Sequence, residues 1–215
     1  MTSPSWETRE IRLPVALAAI AAMLLLVVVL GVTVGERYFW NPFDRMPQAE
    51  VERERWEAVL KKDPTDSEAL FQLGWAEYQL GRVDRAKAAY EKVLTLVPEH
   101  VGAHYNLGVI AREQGQQDQA AGYLQWIVER FPRHELAHYT LGLTYLDQAR
   151  YADAVRSFQR VLELNRTSAD AHYELGLAYR GQSDENKAEQ EFREALKYNP
   201  NLAEARQALE RRQTP

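Results

Sequence analysis

One short stretch of the sequence carries residue types that do chemistry in many enzymes. The pattern H-E-x-x-H runs from His134 through Glu135 to His138. In zinc peptidases with this pattern, the two histidines lie one helical turn apart and bind the metal, while the glutamate activates a water molecule. Asp153 or Glu163 is a candidate third ligand. On its own, the motif predicts a zinc metallopeptidase.

The histidine spacing recurs where no glutamate accompanies it. His100 and His104 lie 34 residues before His134 and His138. His172 lies 34 residues after His138. In the repeat that this interval marks, His134 is the last residue of a loop, so it is not expected inside the helix that the zinc motif requires. Repeat copying accounts for the motif without a metal. We therefore predict no catalytic site and no cofactor, with the zinc peptidase as the alternative.

Composition excludes several other classes of protein. The 215 residues include no cysteine, which excludes disulfides, thiolate metal sites and a cysteine nucleophile. The net charge is −5 and the lysines and arginines do not cluster, so we do not expect nucleic-acid binding. Hydrophobic residues make up 46% of the chain and charged residues 27%, a balance that allows a buried core.

A repeat of fixed length organises most of the chain, which aligns with itself in four copies without insertions. The aligned positions are Leu73-Gly74, Leu107-Gly108, Leu141-Gly142 and Leu175-Gly176; Ala86, Ala120, Ala154 and Ala188; and Tyr90, Leu124, Phe158 and Phe192. Each unit contains two stretches with apolar residues at helical spacing, separated by a short turn. We therefore predict four helical hairpins, which must stack because a single hairpin cannot bury its apolar face.

This pattern is similar to that of the tetratricopeptide repeat family, whose period is about 34 residues. The family pattern, Trp-x2-Leu-Gly-x2-Tyr followed by Ala-x3-Phe and a closing proline, is matched across residues 67–200. Four residues replace the tryptophan: Leu70, His104, His138 and His172. The resemblance implies an all-α solenoid of helical hairpins wound into a right-handed superhelix.

The repeats and the apolar stretch before them divide the chain into segments. These are an N-terminal tail (1–12), a transmembrane helix (13–35), a juxtamembrane linker (36–47), an N-terminal capping helix of half a repeat (48–66), four repeats (67–100, 101–134, 135–168 and 169–202) and a C-terminal capping helix with its tail (203–215). In the first capping helix, Trp56, Val59 and Pro64 occupy the aromatic, aliphatic and proline positions of the repeat.

The stretch before the repeats has the length of a membrane anchor. No charged residue occurs from Leu13 to Gly35. A helix of about 21 apolar residues would measure about 31 Å, close to the hydrocarbon thickness of about 30 Å. The stretch exceeds the apolar region of a signal peptide. Residues typical of a membrane interface follow it, namely Tyr38, Phe39, Trp40 and Phe43. We predict an uncleaved single-pass anchor.

The orientation of this anchor is weakly encoded. Arg9 and Arg12 on one side nearly balance Arg37 and Arg45 on the other, so the flanking charges leave the orientation open. A short tail is easily kept in the cytoplasm, and a long C-terminal domain crosses largely regardless of its charge. We therefore expect a cytoplasmic N-terminus and extracytoplasmic repeats. The layout is similar to that of bacterial cell-envelope proteins that assist assembly.

By resemblance to the family, the first helices of successive hairpins line a concave groove that receives an extended peptide or a partner helix. The groove positions fall on Phe71, Gln72, Trp75, Tyr78, Tyr105, Asn106, Val109, Arg112, Tyr139, Thr140, Leu143, Leu146, Tyr173, Glu174, Leu177 and Arg180. Most of them are aromatic or aliphatic, which suits an apolar or amphipathic segment anchored by aromatic rings. The ladder of Tyr105, Tyr139 and Tyr173 is equally consistent with scaffold consensus.

These expectations describe a membrane-anchored scaffold or adaptor without chemistry of its own. Its groove would bind a peptide or helix of partner proteins and aid assembly of a membrane or envelope complex, helped by the high local concentration that tethering gives. Self-association is the other non-enzymatic hypothesis, in which copies of the chain pair through the end of the stack at Leu202 and Leu209.

Overall fold

The computed structural model describes residues 47–213, and every regular element among them is an α-helix. In chain order the helices are α1 (Gln48–Leu60), α2 (Ser67–Gln79), α3 (Val83–Leu96), α4 (Val101–Glu113), α5 (Gln117–Arg130), α6 (Glu135–Asp147), α7 (Tyr151–Leu164), α8 (Ala169–Gly181), α9 (Glu185–Tyr198) and α10 (Ala203–Gln213). Within that range no helix is long and apolar enough to cross a membrane. The predicted anchor, residues 13–35, lies outside the described residues.

Four helical hairpins follow α1. Helix α2 packs against α3, α4 against α5, α6 against α7, and α8 against α9. The second helix of each pair also packs against the first helix of the next pair, and α10 packs against α9. The predicted all-α fold of stacked hairpins is thus confirmed for the described part of the chain.

The first helix of every hairpin begins at a capping side chain in the loop before it. Asp66 accepts a hydrogen bond from the backbone N–H three residues later, at 2.9 Å, and Ser168 does the same at 3.3 Å. His100 and His134 accept the equivalent bond through Nδ1, each at 3.1 Å. These bonds satisfy a helix N–H that would otherwise lack a partner, and they fix where each first helix starts.

The turn inside each hairpin needs a residue with positive φ. This angle is 72° at Gly81, 73° at Gly115, 55° at Ala149 and 63° at Ser183. Glycine adopts the left-handed conformation readily, whereas alanine and serine adopt it at a cost of roughly 1 kcal/mol. Because all four hairpins keep the same turn, the packing of the helices overrides the local preference in the last two.

A close contact inside each hairpin sets how near its two helices lie. A Cβ atom added at Gly142 would lie 2.7 Å from Cε1 of Phe158, and one at Gly176 would lie 2.5 Å from Cε1 of Phe192. Both rings are fully buried. The ring of the second helix therefore occupies the space where a side chain of the first helix would stand. The alanines that recur in the second helices, Ala86, Ala120, Ala154 and Ala188, are all 0% exposed.

The two terminal helices close the stack differently. Helix α10 buries Ala205 and Ala208, and Arg180 Nη2 on α8 donates a hydrogen bond to the Ala208 carbonyl at 2.8 Å. Helix α1 has no fully buried residue, although Leu60 packs partly against the core of the first hairpins. The aromatic ring of its half repeat, Trp56, is only half-buried.

Replacing Gly142 with alanine tests the close contact. We expect Gly142→Ala to lower the free energy of unfolding by about 1–3 kcal/mol, because the added methyl group overlaps the Phe158 ring. The matched control is Gly122→Ala on α5, where an added Cβ meets nothing within 4 Å. That variant should gain roughly 0.5–1 kcal/mol from helix propensity. Urea unfolding followed by circular dichroism measures the stability of both variants. Equal effects of the two substitutions would contradict the conclusion that the Phe158 ring fills the space beside Gly142.

Candidate functional site

The residues predicted for the groove lie on the four first helices, α2, α4, α6 and α8. We call the surface formed by these sixteen residues the first-helix face. Only Thr140 among them is buried, at 7% exposure, whereas Trp75 is 45% exposed and the others are half-buried. Fifteen of these sixteen side chains are therefore at least partly accessible to solvent.

Side-chain bonds join neighbouring first helices across this face. The Tyr78 hydroxyl donates to Glu113 Oε1 at 2.6 Å, and this bond raises the pKa of Tyr78 to about 12. Arg112 Nε donates to Asp147 Oδ2 at 2.8 Å. In each pair the partner stands one repeat and one residue further along, 35 residues away. Sequence reasoning missed Glu113 and Asp147, because each directly follows a predicted groove position, Arg112 or Leu146, and was not counted with the groove.

A pocket opens in the first-helix face between α2 and α4. It encloses about 250 Å³ and is lined by Trp75, Tyr78, Tyr105, Asn106, Val109 and Ile110. The rings of Trp75 and Tyr78 stack with centroids 6.0 Å apart. The Tyr105 hydroxyl is hydrogen-bonded to Thr140 Oγ1 at 3.2 Å, so hydrogen bonds hold two of the three aromatic walls. The volume is below the ~300–1,000 Å³ of small-molecule sites and matches a single large side chain.

A buried polar group lies beside this pocket. Tyr90 on α3 is fully buried, and its hydroxyl has no partner in hydrogen-bond geometry among the described residues. Burial raises the pKa of this hydroxyl, and the neighbouring Asn106 amide opposes that effect. Since Leu124, Phe158 and Phe192 fill the equivalent position in the other hairpins, packing does not require the hydroxyl. The Asn106 amide in the pocket wall is the polar group that offsets part of the cost of burying this hydroxyl.

A carboxylate lies at the other end of the face. Burial raises the pKa of Glu174 on α8 to about 7. Arg112 acts in the opposite direction, and Asp170 and Asp147 add to the rise. The equivalent residues of the other repeats, Gln72, Asn106 and Thr140, carry no charge. The fold therefore does not need a carboxylate at this position, and shifted carboxylates of this kind concentrate at functional sites.

The two histidines of the H-E-x-x-H motif have structural roles that recur in the other repeats. His134 precedes α6 and caps it through Nδ1, as Asp66 and Ser168 cap their own helices. His138 lies on α6, and its Nε2 donates to the Pro132 carbonyl at 3.1 Å. Burial lowers the pKa of His138. The two rings are thus oriented by different partners, one at a helix end and one against a loop.

The other repeats treat the histidine at the position of His138 in the same way. His104 Nε2 donates to the Pro98 carbonyl at 2.9 Å, and His172 Nε2 donates to the Arg166 carbonyl at 3.2 Å. These bonds tie each first helix to the loop before it. The structure thus gives a hydrogen bond as the reason for the imidazole at these positions.

The candidate third zinc ligands are held by arginines. Asp153 pairs with Arg150 at 2.6 Å and also with Arg156, while Glu163 pairs with Arg160. Between residues 47 and 213, no group of three histidine, aspartate or glutamate side chains is arranged to hold a metal ion. The described part of the chain therefore does not bring together the ligands that the motif suggested.

The geometry of stacked hairpins can be compared with known proteins. The family model for the tetratricopeptide repeat matches residues 53–86, 71–135 and 139–203, which together cover more than half of the chain. The chain belongs to the tetratricopeptide repeat family. No curated protein matches the sequence.

Solved structures of tetratricopeptide repeat proteins resemble the chain over most of its length. A structure described as a MamA RS-1 ArsTM double mutant is 26% identical, covers 71% of this chain and 85% of its own, and has a TM-score of 0.68. MamA from residue 41 to its end, from Desulfovibrio magneticus RS-1, is 24% identical over 88% and 96%, with a TM-score of 0.67. YrrB, described as a TPR protein with an unusual peptide-binding site, is 24% identical over 75% and 83%, with a TM-score of 0.68. These similarities support the fold.

Substituting Glu174 tests whether its carboxylate lowers the stability of the folded repeats. A carboxyl whose folded-state pKa is raised destabilises the fold as pH rises from about 4.5, where the unfolded chain ionises, to about 7. We expect Glu174→Gln to raise the free energy of unfolding at pH 8 by on the order of 1–2 kcal/mol, allowing for partial exposure, and to change it little at pH 4.5. The exposed Glu204→Gln is the control, and thermal unfolding at both pH values is the measurement. A loss of stability at pH 8 would contradict the prediction.

Substituting His134 separates a helix cap from a zinc ligand. His134→Asp should keep the stability of the wild type within about 0.5 kcal/mol, because Asp66 caps α2 in the same way, whereas His134→Ala should lose about 1 kcal/mol. Chemical unfolding measures both variants, and metal analysis of the purified chain accompanies it. Stoichiometric zinc that is lost in His134→Asp would overturn the assignment of this histidine as a cap.

Proposed function

We propose that the first-helix face binds a peptide or helical segment of partner proteins, and that the chain acts as a scaffold. The observation that carries this proposal is the open pocket with its three aromatic walls and the 45% exposed Trp75. An exposed aromatic ring that forms one wall of an open aromatic pocket is typical of an interaction surface, since aromatic residues in such pockets dominate binding energy.

The shape of the face favours a protein segment over a small molecule. The pocket has room for about one large side chain, and reachable side chains continue beyond it along α6 and α8. A segment that places one anchor in the pocket and runs across the neighbouring helices would use both features. YrrB is an example of the same fold with a peptide-binding site.

The proposal includes a membrane anchor at residues 13–35, supported by the absence of any charge in that stretch. With a cytoplasmic N-terminus, the repeats would stand outside the cytoplasm, in a cell envelope. Tethering by a short linker gives local concentrations on the order of millimolar, so that a modest affinity of the face suffices for assembly of a membrane complex.

Crosslinking in native membranes tests the proposed binding face. The double variant Trp75→Ala and Val109→Ala empties two walls of the pocket, and we expect it to lose at least about 80% of the crosslinked partner protein because the central anchor is gone. The matched control is Phe131→Ala, which removes a similarly exposed ring, at 42% exposure, from the loop after α5. Mass spectrometry identifies the partners.

Thermal unfolding of the double variant is measured in parallel, so that loss of fold is not mistaken for loss of binding. An unchanged set of partners in a folded double variant would contradict the proposal. The proposal also fails if Phe131→Ala loses the partners and the double variant keeps them. Crosslinks to a second copy of the chain alone would favour self-association over the scaffold hypothesis.

A further inference from the structure

The arginines of the first-helix face are already engaged by the fold. Arg112 is paired with Asp147 at 2.8 Å. Arg180 donates to the Ala208 carbonyl at 2.8 Å and lies over the Phe192 ring, with its guanidinium carbon 4.7 Å from the ring centroid. Neither positive charge is left to meet an acidic ligand, because each one stabilises a neighbouring helix.

Glu174 on this face and Asp170, one turn before it on α8, are not engaged in this way, although Arg112 acts on Glu174 at longer range. Asp170 and Glu174 form no hydrogen bond or salt bridge with any described residue. Asp170 lies in the first turn of α8, where a negative charge is favourable. Glu174 lies one turn later, where the helix gives no such benefit, and it is partly desolvated. A cation on the ligand would compensate this carboxylate.

The aromatic ring of Tyr139 lies near the carboxylate. Glu174 and Asp170 both lie near enough to Tyr139 to help burial raise its pKa to about 12. Carboxylates beside aromatic faces match a lysine or arginine side chain, whose charged end pairs with the carboxylate while its stem and charge lie against the rings.

The pocket at the other end of the face supplies an independent indication of a ligand. The Asn106 amide lines the pocket, and behind it the fully buried Tyr90 hydroxyl interacts with this amide, which lowers the pKa of the hydroxyl. An amide in the wall of an otherwise aromatic and aliphatic pocket suits a large aromatic side chain that carries a polar atom, such as the indole of tryptophan. An aliphatic anchor would fill the pocket without using the amide.

We propose that the segment bound by the first-helix face is cationic and carries an aromatic anchor: the aromatic side chain fills the pocket between α2 and α4, and a lysine or arginine pairs with Glu174. This inference rests on the proposed function and specifies its ligand class. Packed helices lie about 8–10 Å apart, so the two anchors are on the order of 20 Å apart. An extended segment spans that distance with roughly six or seven residues.

Binding of defined peptides to the full chain in nanodiscs tests the proposal. The probes are fluorescent 16-residue peptides of glycine and serine in which a tryptophan is followed, about seven residues later, by two lysines. Three relatives replace the tryptophan by alanine, the lysines by glutamines, or the lysines by glutamates. We expect the tryptophan–lysine peptide to bind at least about 10-fold more tightly than each of the others, as fluorescence anisotropy measures.

Two variants assign the preference to the two ends of the face. Glu174→Gln should remove most of the preference for lysine over glutamine and leave the tryptophan–glutamine peptide unaffected. Trp75→Ala should bring the affinity for the tryptophan–lysine peptide close to that of the alanine–lysine peptide. The exposed Glu204→Gln is the control for a general loss of negative charge, and it should leave all four affinities unchanged.

The possible failures are distinguishable. Equal affinity for the lysine, glutamine and glutamate peptides overturns the cationic requirement, and it leaves the proposed peptide-binding function standing. Equal affinity for the tryptophan and alanine peptides overturns the aromatic anchor. Binding of none of the peptides up to about 1 mM overturns the inference as a whole, and the crosslinking experiment with the Trp75 and Val109 variant then decides whether the proposed function falls with it.

Discussion

The contact between a glycine of the first helix and a large side chain of the second helix is the constraint on which the rest depends. In the third hairpin, Gly142 leaves room for the buried Phe158 ring, and an added Cβ would lie only 2.7 Å from it. This contact fixes the distance between the two helices at the point where they cross. Because it recurs once in every repeat, successive first helices present the same side to their neighbours, and residues one repeat apart line one face.

Comparing equivalent positions of the four repeats also shows which residue types the fold requires and which it does not. His134 conforms to the frame, since Asp66, His100 and Ser168 cap the other first helices at the same position. Tyr90 departs from it with a buried hydroxyl that packing does not use, and Glu174 departs from it with a desolvated carboxylate. The departures, and not the zinc-like motif, are the residues on which the proposed ligand preference rests.

The sequence predicted the hairpins because glycine, alanine and aromatic positions recur with a fixed period that only one packing satisfies. It also predicted that the loop before α6 would end at His134. It missed Glu113 and Asp147 because each directly follows a predicted groove position and was not counted with the groove. It placed Glu174 on the face but gave no reason to expect its raised pKa, since that depends on side chains from other helices that meet only in the folded chain.

The central claim is that the first-helix face binds a protein segment. Radical footprinting of the chain in its native membranes, compared with the purified chain, tests this claim most directly, because it does not require the partner to be identified. If the first-helix face holds a protein segment, labelling of Trp75 should fall several-fold in the membranes, because the ring is 45% exposed in the chain alone. Labelling of Phe131, which is similarly exposed but lies away from the face, should stay the same. Equal labelling of Trp75 in both samples would contradict the account.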